Sequence, residues 1–213
     1  MKQRPLADEF LAVAATLERG SQSVRAVMAA EENRFTRALE ALRALGEAEN
    51  MPIAIVDGLG AIRYGYPAAT QDIDIAVGRG DLERLVKTAP RHGFRVAWQA
   101  ESGWHILTFG DVEIYVVPEG GKARDTAPTT IPSPAELGVA VGLGYASLAG
   151  WMELKISSAR QKDLAHVVEV MKKTPADAIQ VARQHIAQAR EYVTLFDQLY
   201  EQARAEKEQE KKP

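Results

Sequence analysis

Val56-Asp57-Gly58-Leu59-Gly60-Ala61, then Tyr64-Gly65-Tyr66-Pro67, then Thr70-Gln71-Asp72-Ile73-Asp74-Ile75: this stretch decides how the chain folds. The apolar run Ile53, Ala54, Ile55 and Val56, opened by Pro52, has the composition of a short buried strand. Residues 58–65 suit one short helix, stopped by Pro67. Asp72 to Val77 starts by alternating carboxylate and aliphatic residues, which is strand periodicity. Asp72 and Asp74 therefore share one face, with Cα atoms about 7 Å apart, while Ile73 and Ile75 point into a core.

Two carboxylates so placed repel each other unless a cation lies between them. Oxygen ligands of this kind suit Mg²⁺ or Mn²⁺. A third acid follows in Asp111-Val112-Glu113-Ile114-Tyr115. Burial of Val112 and Ile114 puts Glu113 on the opposite face. If that strand neighbours the first, Glu113 completes a site for two metals, which about 4 Å apart stabilise the attacking and leaving oxygens of a phosphoryl transfer. Gly58 and Gly60 permit close backbone approach, and a helix start offers free N–H groups to phosphate. Asp111 competes with Glu113 but sits in a turn.

Outward from this centre, residues 94–98, 104–109 and 112–117 form three more expected strands, with turns at His92-Gly93 and Gly110-Asp111. Asp81 can cap a helix running through Thr88. Residues 118–134 are a Gly-, Thr- and Pro-rich loop. The uncharged run 137–152 is interrupted by four glycines and is too short to span a bilayer, so it is expected to be buried strand, turn and helix start. Ser147 can cap a helix bearing Leu148, Met152, Leu154 and Ile156, and another helix is expected over 162–173. Thr174-Pro175 starts the last, whose stripe is Ile179, Ala182, Ile186, Ala189, Val193, Phe196 and Leu199. The tail 205–213, mostly Lys and Glu, is expected to be frayed or disordered. At the other end, Leu6, Phe10, Val13 and Leu17 recur at helical spacing, Gly20 and Ser21 break it, and a second amphipathic segment carries Val24, Val27, Met28, Phe35, Leu39 and Leu42, with Gly46 near its end. This hairpin is expected to pack on the core, with a homo-oligomer contact as the alternative. Four regions result: helical 1–50, a core at 51–120, a helical lobe at 121–204 and the tail.

The composition is that of an ordinary globular protein, 46% hydrophobic and 26% charged. There are no cysteines, which excludes disulfides, thiolate metal sites and thiol nucleophiles. No apolar leader follows the basic start, and a soluble cytoplasmic protein without a membrane partner is expected. The net charge of −3 gives no global basic field for nucleic acid. The basic group Arg84, Lys87, Arg91, His92 and Arg95 reads as a solvated helix face. Four histidines, His92, His105, His166 and His185, are scattered along the chain, which weighs against metal-dependent phosphate-ester hydrolysis. His105, between Trp104 and Ile106, reads as structural.

At the glycine turn and the Asp-x-Asp strand the sequence resembles the nucleotidyltransferase superfamily. It resembles more closely the AbiEii/AbiGii toxin-like branch, on Gly58-Leu59-Gly60-Ala61, Tyr66-Pro67, Thr70 and Asp72-Ile73-Asp74, then Ile131-Pro132-Ser133-Pro134-Ala135-Glu136, Glu153-Leu154-Lys155 and Arg160-Gln161-Lys162-Asp163-Leu164. The likeness spans about residues 53–171. It implies a small α/β (α+β) core with a mixed sheet, flanking helices and a C-terminal helical lobe. It implies Asp72, Asp74 and Glu113 as metal ligands, and Gly58, Gly60, Thr70, Lys155 and Asp163 at the nucleotide, with Lys155 neutralising phosphate charge and Asp163 anchoring the lobe or orienting Lys155. Three positions depart from the pattern. The first glycine of the turn is Asp57, Ala68 and Ala69 stand where a basic residue is usual, and the third carboxylate is Glu113 rather than aspartate.

Two readings follow. In the first, the chain is a Mg²⁺-dependent enzyme that takes a nucleoside triphosphate and moves its nucleotidyl group to a hydroxyl of an RNA end, a protein or a small molecule. The branch resemblance adds a toxin role with an antitoxin partner. In the second, the same fold binds or regulates without catalysis, as the three departures suggest.

Overall fold

The computed structural model describes residues 34–68, 70–100 and 103–210. The expected helices before residue 34, with their core or oligomer contact, lie outside the described residues. What is described of the second is α1 (Arg34–Ala48), which buries Phe35, Ala38, Leu39, Leu42 and Leu45 and runs just past Gly46.

Six strands form one mixed sheet: β1 (Ile53–Ile55), β2 (Asp72–Val77), β3 (Arg95–Gln99), β4 (His105–Phe109), β5 (Val112–Pro118) and β6 (Leu143–Tyr145), in the order β3-β4-β5-β2-β1-β6. β2 pairs parallel with β5 and antiparallel with β1, and β6 joins β1 in parallel. β3 and β4 complete an antiparallel meander with β5, with an irregularity between Val96 and Trp98. This is the α/β class expected of the sequence.

Strand periodicity divides the sheet into two chemically different faces. Ile53, Ile55, Ile73, Ile75, Val77, Val112, Ile114 and Val116 pack with α1 and with Leu85 of helix α3 (Leu82–Thr88). The other face sends Ala54, Val56 and Ala76 into a second cluster built with the C-terminal helices. These are α4 (Leu148–Ser158), α5 (Gln161–Lys173), α6 (Ala176–Ile186) and α7 (Arg190–Gln209). Asp72 and Asp74 belong to this second face, looking towards the helices.

Between β1 and β2 runs the short helix α2 (Asp57–Arg63). Its two glycines are packing requirements. A Cβ on Gly58 would lie 2.8 Å from the Thr70 hydroxyl oxygen, and one on Gly60 would lie 2.4 Å from Trp151 Cδ1. That close approach lets Trp151 Nε1 donate to the Asp57 carbonyl at 3.0 Å, tying α4 to the turn after β1. Gly60→Ala is therefore expected to displace a fully buried indole and lower stability by about 1–3 kcal/mol. An unchanged thermal midpoint would contradict this packing.

At Ser147 the expected cap is present: its hydroxyl accepts from the Gly150 amide at 3.1 Å. Two expectations for the C-terminal part are corrected. The single last helix is two, α6 and α7, separated at residues 187–189. The apolar stripe runs across the break because both helices pack on the same cluster. Tertiary bonds fix the corner: the buried Glu153 carboxylate lies 2.8 Å from His185 Nε2 and accepts from Gln188 Nε2 at 2.5 Å. The tail expected to fray from residue 205 instead continues α7 to Gln209. Lys172 of α5 holds it, with Nζ 3.3 Å from Glu206 and 2.6 Å from Glu210. Among the described residues, no helix is long and apolar enough to cross a membrane.

Candidate functional site

A cavity of about 690 Å³ opens between the second sheet face and helices α4 and α5. Its sheet-side wall includes Asp57, Gly58, Thr70, Asp72, Asp74 and Tyr115, and its helical wall includes Leu154, Lys155, Ser158, Arg160, Lys162, Asp163 and His166. That volume falls in the range of small-molecule and cofactor sites.

The acidic strands meet in register. Asp72 is paired with Glu113 and Asp74 with Tyr115 across β2 and β5. Directly opposed residues on adjacent strands share a face, so Glu113 stands beside the aspartate pair. It is exposed, accepts from the Tyr115 hydroxyl at 3.0 Å, and is not among the residues that line the cavity. That hydrogen bond to Glu113, foremost among the causes, holds the Tyr115 pKa above its ordinary value. Thr70 fixes Asp72: its hydroxyl donates to Asp72 Oδ1 at 2.8 Å, with the Asp72 carbonyl oxygen at 3.0 Å.

Asp74 is where the negative charge is felt. Burial first, then repulsion from Asp57 and Asp72, pushes its pKa from 3.8 to about 7. The unfolded chain releases this proton near the ordinary value, whereas the folded state holds it until about pH 7. The contribution to stability is therefore complete below the unfolded pKa and is lost as pH rises through the folded one. In a chelator, Asp74→Asn is expected to be more stable than the wild type at pH 8, on the order of 2–3 kcal/mol after allowing for partial exposure. The gap should shrink towards pH 4. Denaturant titrations at both pH values check this, and a gap independent of pH would contradict it.

Opposite stands an ion-pair network. Lys155, 2% exposed, bonds both Asp57 Oδ1 and Asp163 Oδ1, the latter at 2.6 Å. Arg160 bonds Asp163 Oδ2 through Nε at 2.5 Å and Asp57 Oδ2 through Nη2 at 3.2 Å. Ser158 Oγ also donates to Asp163 Oδ2, at 2.5 Å. Burial works to raise the Asp163 pKa, but the bonds from Lys155, Ser158 and Arg160 outweigh it and hold the carboxyl below its usual range. Lys155 is thus engaged by two aspartates: Asp163 bonds it from within the helical part, and Asp57 ties it to the turn after β1.

Asp57, Asp163 and His166 bring donor atoms within 4.8 Å of one another, the one such grouping among the described residues. As a cation site it is already served, because the Lys155 ammonium bridges its two carboxylates. Asp72 and Asp74 have no lysine or arginine in ion-pair contact among the described residues. Their all-oxygen character, with burial and two neighbouring carboxylates raising the Asp74 pKa, fits Mg²⁺ or Mn²⁺ better.

Several cavity residues were not singled out in the sequence. His166, one of four histidines scattered along the sequence, is carried by α5 into the wall, 5.0 Å from the Tyr66 ring, with Nδ1 buried and lacking a hydrogen-bond partner. Burial, then the Lys155 charge, lowers its pKa. Position 166 follows Lys162 and Asp163 at helical spacing, the one signal that could have found it. His105 is structural, with Nδ1 2.6 Å from the Gly103 carbonyl oxygen.

No family model matches the chain, and no curated protein matches it. Among solved structures it is similar to the antibiotic-resistance factor ANT(2'')-Ia. The solution structure of that factor is 14% identical over 84% of this chain and 98% of that one, with a TM-score of 0.44. A crystal structure of ANT(2'')-Ia in complex with adenylyl-2''-tobramycin is 15% identical over 79% of this chain and 98% of that one, with a TM-score of 0.42. Likeness at this level leaves the chemistry to be argued from the residues themselves.

Proposed function

We propose that the chain is a Mg²⁺-dependent nucleotidyltransferase, moving a nucleoside monophosphate group from a nucleoside triphosphate to an acceptor hydroxyl. The observation that carries this reading is the placement of Asp72 and Asp74 on the cavity wall with Glu113 in register on the next strand. Asp72, Asp74 and Glu113 would hold Mg²⁺ or Mn²⁺. The ion would supply charge neutralisation at the phosphate oxygens.

The chain's own residues do the rest. Gly58 and Thr70 shape the turn beside the phosphates, with the Thr70 hydroxyl keeping Asp72 aimed. Lys155, Arg160 and Lys162 present positive charge from the helical wall, and Asp163 holds the first two in place. In the reaction the acceptor oxygen bonds the α-phosphorus, the bond from that phosphorus to the bridging oxygen breaks, and pyrophosphate departs with its electron pair. The hydroxyl proton goes to solvent. Catalysis of this kind is mainly positioning and electrostatics.

The acceptor belongs to the class of RNA ends, protein hydroxyls or small molecules. Membership of the AbiEii/AbiGii toxin-like branch, and an antitoxin partner with it, rests on the motif resemblance alone. The non-catalytic reading draws on one specific observation, the engagement of Lys155 by Asp57. Incubation with α-labelled nucleoside triphosphates, Mg²⁺ and cell extract separates the two. Label transferred to an acceptor supports the enzyme. Metal-dependent nucleotide binding in calorimetry without transfer supports the binding protein.

A further inference from the structure

We propose that the Asp57 carboxylate is a built-in occupant of the cavity's anion site and sets how tightly a polyphosphate binds there. The inference rests on the nucleotide reading above and adds a determinant of affinity to it.

Asp57 opens α2 with φ of 47°, in the left-handed region. Glycine adopts that region freely and asparagine or aspartate with less strain than other side chains. Glycine would be the unstrained choice. What the aspartate adds is a carboxylate, 26% exposed, held by Lys155 through one oxygen and by Arg160 through the other. A phosphate group offers the same chemistry, negative oxygens that accept from ammonium and guanidinium groups. Asp57 therefore satisfies two of the cations that a polyphosphate entering from the cavity would use.

The two aspartates of the network are not equivalent. Asp163 is 0% exposed and bonds Lys155, Arg160 and Ser158. Asp57, the more open of the two, bonds the same two cations. Removing Asp57 leaves both cations paired to Asp163 and still aimed. Charge counts in the same direction: either substitution removes one carboxylate from a lining that also holds Asp72, Asp74 and Asp163.

The test is calorimetric titration of wild type, Asp57→Asn and Asp57→Gly with inorganic tripolyphosphate in a chelator, with circular dichroism to confirm folding. Asparagine keeps the shape and tolerates the left-handed backbone. Glycine removes both charge and strain. Both variants are expected to bind tripolyphosphate about tenfold more tightly than wild type, as loss of a competing charged hydrogen-bond acceptor implies. Equal or weaker binding by the folded variants overturns the proposal. Failure of both to fold also overturns it, since Asp57 would then be a structural clamp. In a parallel Mg²⁺ titration without chelator, a loss of Mg²⁺ affinity in variants that show no gain for the anion overturns it too and makes Asp57 a metal ligand. Assays of nucleotide transfer keep the two readings apart. A gain in anion affinity with no transfer by any form sinks the transferase and keeps the occupant. Transfer by wild type with no gain in the variants sinks the occupant alone.

Discussion

Asp163→Ala is expected to lower stability by about 3 kcal/mol, or roughly 6–12 °C in thermal midpoint for a chain of this size. The carboxylate is wholly buried and accepts from Lys155, Arg160 and Ser158. Its removal leaves the Lys155 ammonium, itself almost entirely buried, with Asp57 as its one remaining ion-pair partner among the described residues. A buried charge that loses part of its compensation is among the most destabilising changes available to a protein. The same deletion unties the start of α5 from α4, so the helical wall of the cavity should loosen with it. Thermal and denaturant unfolding of the purified variant give the answer. A midpoint within 2 °C of wild type, on the order of half a kcal/mol, would mean that the network carries little of the stability assigned to it.

Asp72→Ala and Asp74→Ala are each expected to reduce nucleotidyl transfer on the order of a thousandfold, while folding is retained. Comparable losses follow when one preorganised electrostatic contact to a developing charge is removed. Neither residue supports the core: their strand neighbours Ile73, Ile75 and Val77 supply the burial on the other face. Loss of Asp74 should relieve repulsion, since Asp57 and Asp72 both act to raise its pKa. A variant that is stable yet inactive is the signature of a residue kept for chemistry. Single-turnover measurement with α-labelled nucleotide checks it. Activity within tenfold of wild type in either variant would remove the aspartates from the reaction.

Local pattern made the central part of this fold legible. Alternation at Asp72-Ile73-Asp74-Ile75 set which side chains share a face. Burial of Val112 and Ile114 did the same for Glu113, and the register of β2 on β5 placed the two acidic strands side by side. Register itself is a tertiary property that periodicity does not specify. The Lys155 pairing was harder to foresee. Its partner Asp57 lies 98 positions away, and from local sequence Asp57 was only an aspartate at a glycine position. Its two cation contacts exist only once α4 and α5 close over the sheet. His166 failed for a related reason: histidines scattered in sequence can still meet a site when a helix carries them into it. In the C-terminal part, the stripe from Ile179 to Leu199 gave the buried face except at Val193, where Tyr192 is the residue buried instead, and it hid the corner between α6 and α7, which bonds to the distant Glu153 impose. Lysine and glutamate in the tail suggested disorder because composition does not reveal that Lys172 waits on α5 to pair with Glu206 and Glu210.

The claim on which the account turns is that divalent cation binds at the acidic strand pair and not within the lysine-bridged group. A crystal grown with Mn²⁺ and a non-hydrolysable nucleoside triphosphate analogue, measured at the manganese absorption edge, tests it directly. The account predicts anomalous density at the Asp72 and Asp74 carboxylates, with the analogue's phosphates directed towards Arg160 and Lys155. Density among Asp57, Asp163 and His166 instead, or nucleotide bound with no manganese near Asp72 and Asp74, would contradict it.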